Sequence, residues 1–196
     1  MNLINTVAIS DYKVNIYEAL RYMGADKSTD DRLLSLVKAI ASELFEICRP
    51  LACYTEIEVN VDGDLLNLGF ARVKSDALAK NLKGCKKAVI FAATLGVDFD
   101  RFLNLKQITS PAEALVLDAV GSAAIEGVCD AAQNIVKEHF ACNIRPRFSP
   151  GYGDFDISFQ KNIIEILNTK KNIGLAVSDS LMMIPTKSVT AVIGME

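Results

Sequence analysis

The sequence predicts a single α+β domain over residues 1–196, in which a twisted, largely antiparallel sheet is flanked by helices, one of them long. Three observations support this. Helical and strand patterns are mixed without the regular βαβ alternation of doubly wound folds. Neither an internal repeat nor a Ser/Gly/Pro-rich linker divides the chain. A helical pattern runs from residue 110 to about 139, which corresponds to roughly 42 Å.

Composition and charge exclude several classes of partner. Hydrophobic residues make up 51% and charged residues 23%, which excludes a disordered chain. The net charge is -3, which argues against a nucleic-acid or anionic-membrane partner held by bulk electrostatics. No segment reaches the roughly 18 apolar residues of a membrane span, and we identify no signal peptide. We therefore expect a cytoplasmic protein.

The segment before the long helix shows clear starts, stops and turns. Asp62-Gly63-Asp64 predicts a tight hairpin, and residues 87–94 form a continuous apolar run that is typical of a buried strand. The predicted elements are a helix over 13–23, a helix from the Asp30 cap to Pro50, a strand over 54–61, a return strand over 65–70, a helix over 75–82, the strand over 87–94 and a helix over 97–105.

The long helix has a strong predicted start. Ser110 is a capping residue, Pro111 suits the first helical position, and Glu113 stands three residues after the cap. The elements predicted after it are an irregular segment over 142–156, a helix from a Ser158 cap to about Asn168, and strands over 175–177 and 188–193.

Two features of the long helix call for an explanation. Gly121 and Gly127 each cost about 1 kcal/mol relative to alanine, so we predict a packing reason for them. One line of the helix is polar, with residues four apart: Asp118, Ser122, Glu126, Asp130 and Asn134. This stripe is either a solvated face, or it presents Glu126 or Ser122 to a site that receives a cationic group.

No pattern pairs a catalytic nucleophile with a base. His139 is the single histidine, which excludes a multi-histidine metal site, and its place near a helix C-terminus is typical of a residue that compensates the helix dipole. The cysteines form no CxxC pair, and we expect them to be reduced, buried small hydrophobes: Cys48, Cys53, Cys85, Cys129 and Cys142.

The most unusual segment is the loop from Arg145 to Phe155, with the sequence RPRFSPGYGDF. Its prolines and glycines restrict the backbone, which suits pre-organised binding of a small molecule. Arg147 offers a fork for a carboxylate or phosphate, and Tyr152 offers a ring face for a cation. The alternative is an elaborate turn between helices. We expect the later run at 181–185, Leu-Met-Met-Ile-Pro, to join the core rather than to form an apolar wall.

Residues 147–152, Arg-Phe-Ser-Pro-Gly-Tyr, resemble the Arg-x-x-Pro-Gly-Tyr signature of the S-adenosylmethionine-binding activation domain of cobalamin-dependent methionine synthase. The family follows this signature with segments that are similar, in order, to a helix over 159–167, Ile173-Gly174-Leu175, the run from Asp179 to Pro185, and Ser188-Val189. The resemblance is specific over about the last 50 residues.

The resemblance implies a stand-alone reactivation subunit that binds S-adenosylmethionine and supports reductive methylation of cob(II)alamin in a cobalamin-dependent methionine synthase. It implies two partners: the synthase's cobalamin-binding module, which carries the cobalamin, and a flavodoxin- or ferredoxin-like electron donor. The cofactor supplies the difficult chemistry, so a self-sufficient active site is not expected. The alternatives are an adaptor or S-adenosylmethionine-sensing module for another corrinoid protein, and a methyltransferase with its own acceptor site and general base.

The resemblance also carries over residue by residue. Arg147 matches the motif arginine and is expected to hold the carboxylate end of the ligand. Tyr152 matches the motif tyrosine and would serve the amino-acid or sulfonium region. Ser149, Pro150 and Gly151 match the stretch whose main chain lines the ligand.

The chain also departs from the family pattern. The family places an acid of the long helix near the ligand, and Ser122 stands where that acid is expected, so Glu126 is the alternative candidate. Gly153-Asp154-Phe155 replaces the usual Pro-Ala-Cys-Pro run after the tyrosine. Both departures concern the ligand site rather than the fold.

Overall fold

The computed structural model describes residues 3–25 and 30–196. Sixteen helices and strands follow one another in this part of the chain, together with a short 3₁₀ helix at Ile157–Phe159. In chain order they are β1 (Asn5–Ala8), α1 (Ile16–Tyr22), α2 (Asp31–Ile47), β2 (Leu51–Glu58), β3 (Asn60–Asp62), β4 (Leu65–Asn67), β5 (Arg72–Lys74), α3 (Asp76–Asn81), β6 (Lys87–Thr94), α4 (Val97–Thr109), α5 (Pro111–Phe140), α6 (Gln160–Ile166), α7 (Thr169–Asn172), β7 (Ala176–Val177), β8 (Met183–Ile184) and β9 (Ser188–Met195).

The central sheet has four strands in the order β1-β2-β6-β9, and every neighbouring pair is antiparallel. β6 matches the predicted strand, and its continuous apolar run has a simple reason. Val89 and Phe91 enter one hydrophobic core while Ala88 and Ile90 enter another, so the strand is buried on both faces. The α+β prediction, with an antiparallel sheet and one long helix, is confirmed.

Each face of the central sheet is covered by a different layer. Helices α1, α2, α4 and α5 supply the larger core on one face. The other face packs against α3, α6 and a small antiparallel sheet of β3, β4 and β5. Within residues 3–25 and 30–196, no helix combines the length and apolar character that crossing a membrane requires.

The strand predicted over 54–61 spans two strands that belong to different sheets. β2 begins three residues earlier, at Leu51, and ends at Glu58, and β3 starts the small sheet at Asn60. Between them, the amide of Val59 donates to the carbonyl of Lys86, 2.9 Å away. The predicted hairpin is confirmed, with Gly63 at φ +62° in the turn between β3 and β4.

Both glycines of α5 lie where another part of the chain comes very close. A Cβ on Gly121 would stand 2.3 Å from the Phe99 ring, and one on Gly127 would stand 1.9 Å from the carbonyl oxygen of Lys13. The predicted packing reason is thereby confirmed. The predicted start of α5 is confirmed, with Ser110 as the N-cap residue and Pro111 as the first helical residue, but the Ser110 side chain makes no capping hydrogen bond and Glu113 pairs with Lys106 at 2.6 Å.

The helix predicted from Ser158 to Asn168 is shorter and is capped by a different residue. Asp156 is the capping side chain, since its carboxylate accepts from the amide of Ser158 at 2.7 Å. A short 3₁₀ turn precedes α6, which ends at Ile166, and Asn168 adopts a left-handed conformation at φ 44° that breaks the helix.

The cysteines are free thiols, as predicted. Four are buried, and Cys142 is partly exposed. Burial raises the pKa of Cys53 and Cys129 to about 12, so both remain protonated and behave as small apolar residues.

Candidate ligand-binding site

The loop after α5 continues the central sheet past its edge strand. The amide of Phe148 donates to the carbonyl of Val192 at 2.9 Å, and the amide of Val192 donates back to Phe148 at 2.9 Å. The amide of Arg145 donates to Gly194 at 2.8 Å. This pairing with β9 holds the stretch around Arg147 between the sheet edge and α5.

A compact turn follows at 149–155. The amide of Gly151 donates to the carbonyl of Phe155 at 2.7 Å, and the amide of Tyr152 donates to Ser149 at 3.2 Å. Gly151 has φ +96°, a conformation that side-chain-bearing residues rarely adopt. Phe155 is buried in the second core, so the turn is fixed to the body of the protein.

Asp154 ties this turn to the start of α3. Its carboxylate accepts from the Ser75 hydroxyl at 2.6 Å and from the amides of Asp76 and Ala77 at 2.7 and 3.1 Å. These hydrogen bonds lower its pKa to about 2. Asp154 of the Gly153-Asp154-Phe155 stretch therefore holds this turn against the start of α3.

A cleft of about 700 Å³ opens between the loop, α5, α6 and β9. This volume lies within the roughly 300–1,000 Å³ of common small-molecule sites. Its lining residues come from all four elements and from β8: Glu126, Asp130, Gln133, Pro146, Arg147, Phe148, Ser149, Pro150, Tyr152, Ile157, Gln160, Met183, Ser188, Val189 and Thr190.

Charged side chains occupy one rim of the cleft. The Arg147 guanidinium contacts Glu126 at 2.5 Å and Asp130 at 2.6 Å, and it also donates to Gln133. Burial by itself would lower the pKa of Arg147, but the hydrogen bonds to the two acids outweigh it, so the pKa lies above its usual value. Two carboxylates therefore face one guanidinium, which leaves the rim with one unbalanced negative charge.

The cleft brings together most of the residues predicted for the site. Arg147, Ser149, Pro150, Tyr152 and Glu126 all line it. Their contact with a ligand stays a prediction.

Gly151 shapes the turn beside the cleft and is not among its lining residues. Ser122 lines a different cleft, where its hydroxyl accepts from the Lys187 ammonium at 2.9 Å and donates to the carbonyl of Asp118 at 3.1 Å. Of the two helix residues left open by the sequence, Glu126 is therefore the one that reaches this cleft.

The polar stripe of α5 is both a solvated face and a face that presents Glu126 to the cleft. Its residues are largely exposed, yet the stripe also binds two basic side chains of the C-terminal half, Arg147 and Lys187. Glu126 and Asp130 pair with Arg147, and Asp118 pairs with Lys187 at 2.8 Å. The stripe thus anchors the segments that form the cleft.

The prediction for residues 181–185 is wrong. Met182 and Ile184 are 61% and 54% exposed, and Met183 lines the cleft, so the run is a partly exposed wall and not core. It pairs with β7 in a two-stranded sheet beside the cleft, which requires an extended backbone with alternating exposure.

The sequence reasoning also missed three polar residues in the lower part of the cleft. Gln160, Ser188 and Thr190 are buried and line it. Ser188 and Thr190 lie two residues apart on β9 and so point to the same face of the strand, whereas the residues between and after them, Val189 and Ala191, are apolar. This alternation of polar and apolar residues is the signal that could have identified them.

Fold and cleft together define an α+β domain in which a glycine- and proline-rich loop packs against a long helix beside a cleft. Residues 121–196 match the family model described as vitamin B12 dependent methionine synthase, activation domain. The resemblance expected from the sequence is thereby confirmed over this part of the chain, which includes the loop and most of α5.

The solved structures extend the likeness to the whole fold. The crystal structure of the MetH reactivation domain bound to AdoHcy is similar with a TM-score of 0.77 and 12% sequence identity. The match covers 98% of this chain and 78% of that one. At this identity the likeness shows a shared fold. No curated protein matches the chain in sequence.

Proposed function

We propose that this protein binds S-adenosylmethionine in the cleft and serves as a stand-alone reactivation subunit for a cobalamin-dependent methionine synthase. The observation that carries the proposal is the position of the family's signature loop. Arg147 and Tyr152 of that loop line a cleft that Glu126 of α5 also lines. The family match over 121–196, and the AdoHcy bound to the similar MetH reactivation domain, support the same ligand class.

The charges of the rim suit this ligand. S-adenosylmethionine carries a sulfonium and an ammonium cation and one carboxylate. Glu126 and Asp130 offer two carboxylates to the cations, and Arg147 offers a guanidinium to the ligand carboxylate. Arg147 is already paired with Glu126 and Asp130. On binding, the ligand carboxylate would replace one of these acids at the guanidinium.

The contribution of this chain would be positioning rather than acid–base chemistry. Cobalamin, carried by the partner's cobalamin-binding module, would take up the methyl group. The sulfonium would become a neutral thioether, and a flavodoxin- or ferredoxin-like donor would supply the one electron that cob(II)alamin needs. Tyr152 is 66% exposed at the mouth of the cleft, where it could meet both ligand and partner.

The test is a reactivation assay with a methionine synthase that lacks its own activation domain. We expect inactive synthase to recover only when this protein, S-adenosylmethionine and an electron donor are all present. Recovery of the synthase to the same extent without the protein would overturn the proposal. Saturable binding of S-adenosylmethionine without any recovery would favour the adaptor or sensor of another corrinoid protein.

A further inference from the structure

The floor of the cleft contains two neutral polar side chains with hydrogen-bonding capacity to spare. Gln160 and Thr190 are both 3% exposed, and both line the cleft. Gln160 lies at the start of α6 and Thr190 on the edge strand β9, and these two elements pack against each other. The floor thus sits on rigid elements, below the charged rim.

The side-chain amide of Gln160 is oriented by one hydrogen bond. Its Nε2 donates to the carbonyl of Leu181 at 2.6 Å, which fixes the amide plane and leaves Oε1 as the free acceptor. Among residues 3–25 and 30–196, no donor reaches that oxygen. The oxygen is not among the buried side-chain atoms that lack a partner in the described residues, so it is open to the cleft, where a ligand can donate to it.

Thr190 is in the same situation. Its neighbours on the strand, Val189 and Ala191, face the first core, while Val192 faces the second, so Thr190 shares the face of Val192 and α6. Within the described part of the chain its hydroxyl has no hydrogen-bond partner. By contrast, the nearby Ser188 hydroxyl bonds to Thr94 and to the carbonyl of Pro185.

We infer that Gln160 and Thr190 form a neutral subsite that reads the hydroxyl or amino groups of the nucleoside half of the ligand. This inference rests on the proposed function. The walls around the floor include Phe148, Ile157 and Met183, which suit an aromatic base, and the charged groups lie at the rim. The ligand would lie with its amino-acid half at the Arg147–Glu126 ion pair and with its nucleoside on the floor.

The chain offers variants that separate ligand recognition from stability. Thr190→Val removes only the unpartnered hydroxyl and keeps the shape, so the thermal midpoint should hold or rise. Thr190→Ser keeps the hydroxyl. Thr55→Val is the matched control, because Thr55 is equally buried but its hydroxyl donates to the carbonyl of Leu3 at 3.0 Å, outside the cleft.

Calorimetry with S-adenosylmethionine should give a roughly five- to tenfold weaker affinity for Thr190→Val and for Gln160→Met. Thr190→Ser should bind like the original protein. Thr55→Val should lose thermal stability but keep its affinity. If the original protein binds S-adenosylmethionine and Thr190→Val and Gln160→Met bind it equally well, the subsite is overturned while the proposed function stands.

Competition by the two halves of the ligand tests the orientation. Adenosine should compete less well against Thr190→Val than against the original protein, and free methionine should compete equally well against both. The opposite pattern would overturn the assignment of the floor to the nucleoside. Absence of any S-adenosylmethionine binding to the original protein would overturn the proposed function and, with it, this inference.

Discussion

The hydroxyl of Ser75 donates a 2.6 Å hydrogen bond to the carboxylate of Asp154, although 79 positions separate the two residues. Ser75 is fully buried and also accepts from the amide of Leu78 at 3.0 Å, within α3. One acid of the cleft loop therefore completes the cap of a helix in the N-terminal half. The Ser75–Asp154 hydrogen bond thus links the loop over 145–155 to α3.

The coupling predicts a pH-dependent contribution to stability. Hydrogen bonds from Ser75 and from two backbone amides lower the pKa of Asp154 from 3.8 to about 2. A lowered folded-state pKa means that the stabilisation is present above about pH 4 and is lost as the pH falls towards 2. Asp154→Ala should lower the thermal midpoint at neutral pH, and Asp154→Asn, which keeps one acceptor oxygen, should lower it less.

Thermal unfolding of these two variants and the original protein between pH 2 and 7 measures this contribution. The difference in midpoint between Asp154→Ala and the original protein should shrink at the acid end. Asp64→Ala is a suitable control, because Asp64 is about half exposed and pairs with Lys74 on the surface at 3.2 Å. A difference that stays constant with pH would contradict the role of the carboxylate charge.

Arg147 should contribute directly to ligand affinity. Arg147→Ala is expected to weaken S-adenosylmethionine binding by about 1.5–3 kcal/mol, because a charge-assisted hydrogen bond to the ligand carboxylate is lost. Isothermal calorimetry measures this, with Arg101→Ala as the control, since Arg101 pairs with Asp98 at 3.0 Å on α4. Unchanged affinity in Arg147→Ala would confine Arg147 to its internal ion pairs.

Tyr152 should matter for binding and not for folding. Its side chain is 66% exposed, so Tyr152→Leu removes little buried contact and should leave the thermal midpoint within about 2 °C. S-adenosylmethionine affinity should nevertheless fall. Tyr17→Leu, at 62% exposure on α1, is the matched control for both measurements. A large drop in midpoint for Tyr152→Leu would instead assign the ring to packing.

Substitutions of Glu126 and of Ser122 should differ in their effect on ligand affinity. Glu126→Gln removes the unbalanced negative charge of the rim and should weaken S-adenosylmethionine roughly three- to tenfold at low salt. The neutral thioether S-adenosylhomocysteine should be affected less. Ser122→Ala should leave both affinities unchanged, because Ser122 lines another cleft and its hydroxyl bonds to Lys187. A loss of affinity in Ser122→Ala alone would contradict the placement of the site.

Local chemistry made much of the fold predictable. The apolar run at 87–94, the Asp62-Gly63-Asp64 turn and the Asp30 cap act through neighbours in sequence, and all three are as predicted. The start of α5 at Ser110-Pro111 is also as predicted, although the Ser110 side chain makes no capping hydrogen bond. The Ser158 cap was wrong because the helical turn begins earlier, where the Asp156 carboxylate accepts from the amide of Ser158.

The sequence by itself determined the fold class and a likeness: an α+β chain with a conformationally restricted loop whose Arg-x-x-Pro-Gly-Tyr pattern resembles that of the activation domain whose family model matches residues 121–196. Only the tertiary structure decided that Glu126 rather than Ser122 contacts that loop and that Asp154 binds the loop to α3. It also decided that Gln160 and Thr190 line the cleft beside the loop. The reason is physical. Backbone restriction and periodicity are properties of adjacent residues, whereas Ser122 and Glu126 lie on the same face of α5, one turn apart, so the choice between them depends on where along the helix the loop packs. Close packing of Gly121 on Phe99 and of Gly127 on the Lys13 backbone, far away in sequence, holds the helix in place against the rest of the chain.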